Sequence, residues 1–135
     1  MFFSSGQYCI CKRGRCPAGL TTGFVNWDDD DYNSQFNKKG GILPGGIYDH
    51  DTKIRFCCRT DGNKSNPISI PSKTPFFLLT YGSAECQMVK WAITNLEWIR
   101  YDTEHNYNED KAWGEFPYDA GNPHPTIYYC YYRGK

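Results

Sequence analysis

The sequence is poor in apolar residues and carries no excess of either charge. Hydrophobic residues make up 39% of its 135 residues, and the mean hydropathy is −0.69. Fifteen basic residues balance fifteen acidic ones, and no basic stripe is present, so we expect no nucleic-acid partner. No apolar run reaches the ~18 residues of a membrane-spanning helix, so we expect no transmembrane segment.

Aromatic residues supply much of what the aliphatic residues do not. Eleven Tyr, eight Phe and four Trp favour pleated strands, while 13 Gly and 8 Pro favour frequent turns. Residues 53–59 alternate apolar and polar side chains, and residues 76–81 and 126–132 are apolar or aromatic runs. These patterns predict an all-β, disulfide-stapled sandwich or compact barrel. One or two short helices are expected beside the strands, with residues 28–39 as a candidate for a helix or a loop.

Three further stretches predict strands. Residues 67–71 are bounded by prolines, which is typical of a short edge strand. Residues 87–93 alternate apolar and polar side chains, and residues 96–101 continue the pattern. Because Trp91 and Trp98 lie within these patterns, they are predicted to belong to the core.

Cysteine is abundant, and its spacing favours disulfides over a zinc site. A zinc site would need paired C-x-x-C motifs or histidine partners, and the chain has only three His. Cys57 and Cys58 are adjacent, so on a strand they would point to opposite faces and serve two different bridges. The odd cysteine is free, bridges to another chain, or lacks its partner here, and this usage indicates an extracellular protein. The disulfide candidates are Cys9, Cys11, Cys16, Cys57, Cys58, Cys86 and Cys130.

Two acidic stretches resemble each other weakly. Each has an aromatic residue, then Asp-x-acid, then Asn, Lys and a glycine. Such carboxylates could supply oxygen ligands to Ca²⁺, but the spacing does not match an EF-hand, and the same residues commonly cap helices or shape turns. The candidate ligands of a cation are Asp28, Asp30, Asp102 and Glu104.

Several aromatic residues beside polar or turn residues could bind a sugar. A glycan site combines aromatic platforms with carboxylate, amide or guanidinium groups. The aromatic candidates are Trp27, Tyr48, Tyr101 and Trp113, although each could instead pack in the core. Arg59 could form a forked hydrogen bond with a ligand carboxylate, or it could pair with Asp61 and brace the turn that follows its strand.

Catalysis is not indicated by any motif. The nucleophile signature G-x-S-x-G is absent from the sequence. A muramidase would need two carboxylates at a suitable separation, one of them with a raised pKa, and the sequence does not indicate that any carboxylate is buried. We therefore expect a protein that is not an enzyme.

A series of short motifs resembles the C-terminal (ApeC) domain of the apextrin-like proteins of marine invertebrates. The most specific motif is Phe56-Cys57-Cys58-Arg59-Thr60-Asp61-Gly62. The others are Cys16-Pro17, Trp27-Asp28-Asp29-Asp30, Leu43-Pro44-Gly45-Gly46-Ile47-Tyr48, Pro75-Phe76, Cys86-Gln87, Tyr101-Asp102-Thr103-Glu104 and Tyr129-Cys130-Tyr131-Tyr132. The resemblance extends from about Cys9 to Tyr132, so we predict a lead-in or linker over residues 1–8 and a single recognition domain over residues 9–135.

The resemblance implies a secreted or surface-associated protein of innate immunity. Its expected function is non-catalytic binding of bacterial cell-wall glycopeptide, either peptidoglycan or its muramyl fragments. The alternative is a matrix, adhesion or oligomerisation module that targets an attached perforin-like domain, with self-association as a further expectation. No cofactor is predicted apart from the Ca²⁺ considered above.

Overall fold

Every regular element that the structure describes is a β-strand. The structure is a computed structural model, and it describes residues 3–27, 41, 43–48, 52–70, 74–100, 111–121 and 125–135. The strands are β1 (Tyr8–Cys11), β2 (Thr21–Trp27), β3 (Gly46–Tyr48), β4 (Thr52–Arg59), β5 (Phe76–Thr80), β6 (Ala92–Arg100), β7 (Lys111–Gly114) and β8 (Thr126–Gly134). The predicted all-β, disulfide-stapled class is confirmed. The helix or loop expected at residues 28–39 lies outside the described residues.

All eight strands belong to one antiparallel sheet. Their order is β6-β8-β5-β1-β4-β2-β7, and β3 pairs separately with β4. One edge of β4 pairs along its length with β2, while the other edge pairs first with β3 and then with β1. Gly45 connects β3 to the end of β1 along this edge. Its N–H donates to the carbonyl of Lys12, and its carbonyl accepts from the N–H of Arg55. β4 therefore lies at the centre of the half of the sheet that runs from β1 to β7.

Side chains alternate between two faces of the sheet, and both faces are partly covered. The Trp27 face carries one buried cluster, and the Tyr8 face carries the other. The first cluster consists of Cys9, Val25, Trp27, Phe56, Cys58, Leu79 and Ile127. The second consists of Tyr8, Ile68, Leu78, Cys130 and Tyr132. Because both faces of β1, β5 and β8 are buried, these strands form the central core of the domain.

The Tyr8 face is covered by the connections on either side of β5. Gln87 holds them together: its side-chain amide donates to the carbonyl of Asn66 over 2.8 Å and accepts from the N–H of Gln7 over 2.8 Å. The hydroxyl of Tyr132 donates to the carbonyl of Gln87 over 2.6 Å. Of the strand expected over residues 67–71, the described part forms one parallel bridge between Ile68 and Val89, in which the N–H of Ile68 donates to the carbonyl of Met88 and its carbonyl accepts from the N–H of Lys90.

The Trp27 face is crossed at one end by residues 115–120. The N–H of Glu115 donates to the carbonyl of Thr22 on β2, and the N–H of Tyr118 donates to the carbonyl of Thr80 on β5. Phe116 packs against the buried cluster between these two points. The segment therefore links strands that are three positions apart in the sheet order and closes that end of the core.

Candidate functional site

Trp27 does not offer its ring to a ligand. It is only 2% exposed and packs in the buried cluster of the Trp27 face. Val25 and Trp27 alternate with Phe24 and Asn26 along β2, which places the indole on the inward side of the strand. The ligand-binding role expected for Trp27 is therefore corrected to core packing.

Arg59 pairs with Asp61, which was the second of the two roles that the sequence allowed. The residue is 8% exposed, and its Nε donates to Oδ1 of Asp61 over 2.9 Å. Its other guanidinium nitrogens donate to Oγ of Ser5 and to the carbonyl of Ala18. Burial acts to raise the pKa of Asp61, but the hydrogen bond and charge of Arg59 hold that pKa below its ordinary value. The guanidinium braces the turn after β4, so it has no free fork for a ligand carboxylate.

Trp113 is exposed and belongs to a basic and aromatic surface. It is 60% exposed on β7, and its ring stacks on that of Phe24 with centroids 6.1 Å apart. Nζ of Lys53 lies 4.0 Å from the Phe24 ring centroid, and Arg55 is the register partner of Phe24. These four residues define what we call the Trp113 face.

The remaining predicted site residues are described in part or not at all. Tyr48 ends β3 opposite Thr52. Tyr101, Asp28, Asp30, Asp102 and Glu104 lie outside the described residues. Within the ranges that the structure describes, no group of three His, Cys, Asp or Glu residues could hold a metal ion.

The core positions predicted for Trp91 and Trp98 are wrong. Trp91 is 84% exposed, and Trp98 is 60% exposed. Trp91 lies in the turn before β6, and Trp98 lies on β6 itself, which is an edge strand of the sheet. Local alternation predicted buried strand positions, but it does not show where a strand begins or whether another layer covers it.

Trp91 combines high exposure with an unusual backbone conformation. Its φ of 64° lies in the left-handed region, where it is the only residue other than glycine in the described part of the chain. An L residue there costs roughly 1–2 kcal/mol, so glycine usually occupies such a position. Two backbone hydrogen bonds hold the turn. The N–H of Lys90 donates to the carbonyl of Ile68, and the N–H of Lys135 donates to the carbonyl of Trp91. An indole that is this exposed does not pack in the core, so the strained conformation of Trp91 is not explained by core packing.

A depression of about 270 Å³ lies beside Trp91 and mixes polar with apolar groups. Phe76 stacks on buried Tyr132 with centroids 5.0 Å apart, which gives this site a rigid aromatic wall. We call this site the Trp91 depression. The lining residues that bear on its chemistry are Ser69, Thr74, Phe76, Lys90, Trp91 and Arg133.

Lys90 and Arg133 line the Trp91 depression, and none of its other described lining residues is charged. Ser69 and Thr74 supply hydroxyl groups to the lining. Arg133 is the register partner of Ile93, so its guanidinium projects to the Trp27 face, away from Phe76 and Tyr132. An exposed indole can stack on an apolar ring face, and the Lys90 ammonium can pair with a carboxylate. The arrangement suits a small ligand that has both an apolar ring face and a negative charge.

A larger groove, of about 670 Å³, lies on the Trp27 face beside β6 and is mostly apolar. Its lining includes Phe77, Leu79, Ile99 and Tyr129, with Glu97 as its charged residue. Cys11 also lines it and is the one cysteine with a free thiol. Cys11 is exposed as a residue, but partial desolvation of its sulfur raises the pKa of the thiol, which lowers its thiolate fraction and disfavours a nucleophilic role.

Several described carboxylates already have structural partners. Glu115 accepts a hydrogen bond from the hydroxyl of Tyr81. Asp119 accepts from the N–H groups of Gly121 and Thr126, each over 2.9 Å. These carboxylates stabilise the turns and crossings of the fold.

The all-β fold and its three disulfides fit an extracellular domain. No helix in the described ranges is long and apolar enough to cross a membrane. The family model described as the C-terminal domain of apextrin, ApeC, matches residues 1–132, and the chain belongs to this family. The resemblance identified from the sequence motifs is confirmed. No curated protein and no solved structure matches the chain.

Proposed function

We propose that this domain binds bacterial cell-wall glycopeptide at the Trp91 depression, as a non-catalytic recognition module secreted from or displayed on the cell. The observation that carries the proposal is Trp91 itself: its side chain is 84% exposed, at a backbone position that favours glycine. Non-glycine residues with such conformations cluster at active sites and ligand clamps, where the surrounding structure holds them in place. Membership of the apextrin family supports the same class of function.

The chemistry of the depression matches a muramyl fragment with its peptide. The indole can stack on the C–H face of a sugar ring, and Phe76 extends the apolar wall. Lys90 can pair with a carboxylate of the peptide, while Ser69 can hydrogen-bond to a sugar hydroxyl. A volume of about 270 Å³ suits one sugar with a short substituent better than a long polymer segment.

Sedimentation with insoluble peptidoglycan tests the proposal. We expect the wild-type protein to co-sediment, Trp91→Ala to bind roughly tenfold or more weakly, and free muramyl dipeptide to compete. Lys90→Gln should weaken binding as well, because it removes the charge that pairs with a ligand carboxylate. Ile47→Ala, at an exposed β3 residue outside the depression, is the control.

The proposal is wrong if the folded wild-type protein fails to co-sediment. It is also wrong about the site if Trp91→Ala and Lys90→Gln both bind as tightly as the wild type. In either case a matrix, adhesion or oligomerisation role becomes the better account. One observation favours self-association in its own right, namely the exposed apolar side chains along β6.

A further inference from the structure

The outer edge of β6 has no strand beside it. β6 pairs with β8 over all nine residues, from Ala92 opposite Gly134 to Arg100 opposite Thr126. In the described part of the sheet no strand pairs with its other edge. About half of the N–H and C=O groups of an edge strand point away from its partner and are available to another strand.

Apolar side chains project from both faces of β6. Ile93 and Ile99 lie on the Trp27 face and are 37% and 49% exposed. Leu96 and Trp98 lie on the Tyr8 face and are 49% and 60% exposed. A layer packed on one face would cover only half of these side chains. A strand that continues the sheet would contact both sets.

β6 has few of the features that usually protect an edge strand. Soluble proteins block such edges with charged residues (lysine above all), proline, bulges or very short strands. β6 is nine residues long, and its sequence, AITNLEWIR, has two charged residues, Glu97 and Arg100, but no Lys, Pro or Gly. Its length and composition therefore favour pairing with another strand.

We propose that β6 pairs antiparallel with β6 of a second copy of this chain, about a two-fold axis at Leu96. In this register Leu96 lies opposite Leu96 of the second copy, and Ile93 lies opposite Ile99. Thr94 then lies opposite Trp98, so apolar side chains meet on both faces of the sheet.

The charges on β6 select this register over its neighbours. With the axis at Leu96, Glu97 lies opposite Asn95 of the second copy, and the two can hydrogen-bond. An axis at Glu97 would place the two carboxylates directly opposite each other, which is destabilising. An axis at Asn95 would move Ile99 opposite Trp91, which lies in the turn outside the strand. The Leu96 register pairs all nine residues and closes the assembly as a dimer.

The first test is the oligomeric state over a range of concentrations. Sedimentation velocity should show a concentration-dependent dimer of wild-type protein. Leu96→Lys and Ile99→Lys should each remove it, because a lysine at a strand edge opposes pairing. Ile47→Lys, at an exposed residue of β3, is the matched control and should remain dimeric. Near-ultraviolet circular dichroism would verify that each variant is folded.

The second test reads the register directly, in a Cys11→Ser background that removes the free thiol. Directly opposed residues have Cβ atoms about 5 Å apart, so a small movement of the two strands allows a disulfide to form. Leu96→Cys should therefore cross-link two chains in oxidised glutathione. The two thiols give up two protons and two electrons, and glutathione disulfide takes them up to form two glutathione thiols. Trp98→Cys should not cross-link, because the two copies of residue 98 would lie four residues out of register.

Four results would overturn the proposal. A wild-type protein that stays monomeric at high concentration has no such interface. A dimer that persists in both lysine variants but is lost in Cys11→Ser is joined through the thiol instead. Cross-linking of Trp98→Cys but not Leu96→Cys would exclude the Leu96 register. Assemblies that grow beyond the dimer would show a contact that does not close.

Discussion

Cys57 and Cys58 are neighbours on β4, but their disulfides fasten opposite faces of the sheet. Cys58 bonds to Cys9, its register partner on β1, and lies in the buried cluster of the Trp27 face. Cys57 points to the other face and bonds to Cys16 in the connection between β1 and β2. The third disulfide joins Cys86 to Cys130 on β8. β4 is therefore fixed from both sides, in a chain that has few aliphatic residues for its core.

Removal of the Cys9–Cys58 disulfide should strongly destabilise the domain. This bond spans 49 residues, and closing a loop of that length stabilises by about 4 kcal/mol in the chain-entropy description. We expect Cys9→Ala/Cys58→Ala to lose free energy of unfolding of this order, measured by urea denaturation. Cys11→Ser, at the exposed free cysteine, is the control and should change it by less than about 0.5 kcal/mol. Equal stability of the double variant and the control would contradict the expectation.

Stability should fall as the pH rises from about 10 to about 12. The hydrogen bond to Glu115, followed by burial, raises the pKa of Tyr81 to about 12, and burial raises that of Tyr8 to about 12. The unfolded chain releases these protons near pH 10, so between the two pKa values it binds fewer protons than the folded state. The stabilisation is therefore complete below pH 10 and is lost as the pH approaches the folded pKa values.

Tyr81→Phe separates the contribution of its hydrogen bond. The bond links the end of β5 to the crossing segment and has a carboxylate as acceptor, so its removal should cost about 2 kcal/mol near neutral pH. Denaturation at several alkaline pH values should then show a shallower decline than in the wild type. An unchanged slope would show that Tyr81 titrates normally in the folded protein.

The Trp113 face should make a smaller contribution to glycopeptide binding than the Trp91 depression. Trp113, Phe24 and Lys53 lie on the sheet surface, so a ligand there keeps more contact with water. We expect Trp113→Ala to weaken sedimentation with peptidoglycan only severalfold. In Trp91→Ala/Trp113→Ala the two losses of binding free energy should add, because the sites are separate. If Trp113→Ala abolishes binding and Trp91→Ala does not, the glycopeptide site belongs on the Trp113 face.

Chelation tests whether the acidic stretches bind a cation. Their spacing differs from that of an EF-hand and is typical of caps and turns, so we expect peptidoglycan binding to survive EDTA. Asp28→Ala/Asp102→Ala should likewise bind as the wild type does. If EDTA and the double variant both abolish binding, and Ca²⁺ restores it to the wild type, the acidic residues hold a cation that recognition needs.

Local sequence patterns determined more of the fold than of the site. The alternation at residues 53–59 and the apolar run at residues 76–81 predicted β4 and β5, and the adjacent Cys57 and Cys58 predicted two separate bridges. The partners of these cysteines depend on how β1 aligns with β4, more than 40 residues apart in sequence. No local pattern indicates how β1 and β4 align, so the sequence did not predict which cysteines form each disulfide.

The aromatic residues were harder to place for a related reason. Trp27 and Trp98 both occur in sequences compatible with strands, but β2 lies inside the sheet and β6 at its edge. Exposure therefore depends on strand order and not on the residues beside each tryptophan. Trp91 lies in a turn whose left-handed conformation would normally be signalled by glycine or asparagine, so no turn was expected there.

Because the backbone at Trp91 is strained, Trp91→Gly and Trp91→Ala should differ in stability but not in binding. Trp91→Gly should raise the free energy of unfolding relative to Trp91→Ala by about 1 kcal/mol, because glycine adopts a φ of 64° without a steric penalty. Both variants lose the indole, so both should bind peptidoglycan equally weakly. Urea denaturation and sedimentation, measured on the same three proteins, give the two quantities. If Trp91→Gly is less stable than Trp91→Ala, the backbone there is not strained, and the exposed indole alone must support the proposed site.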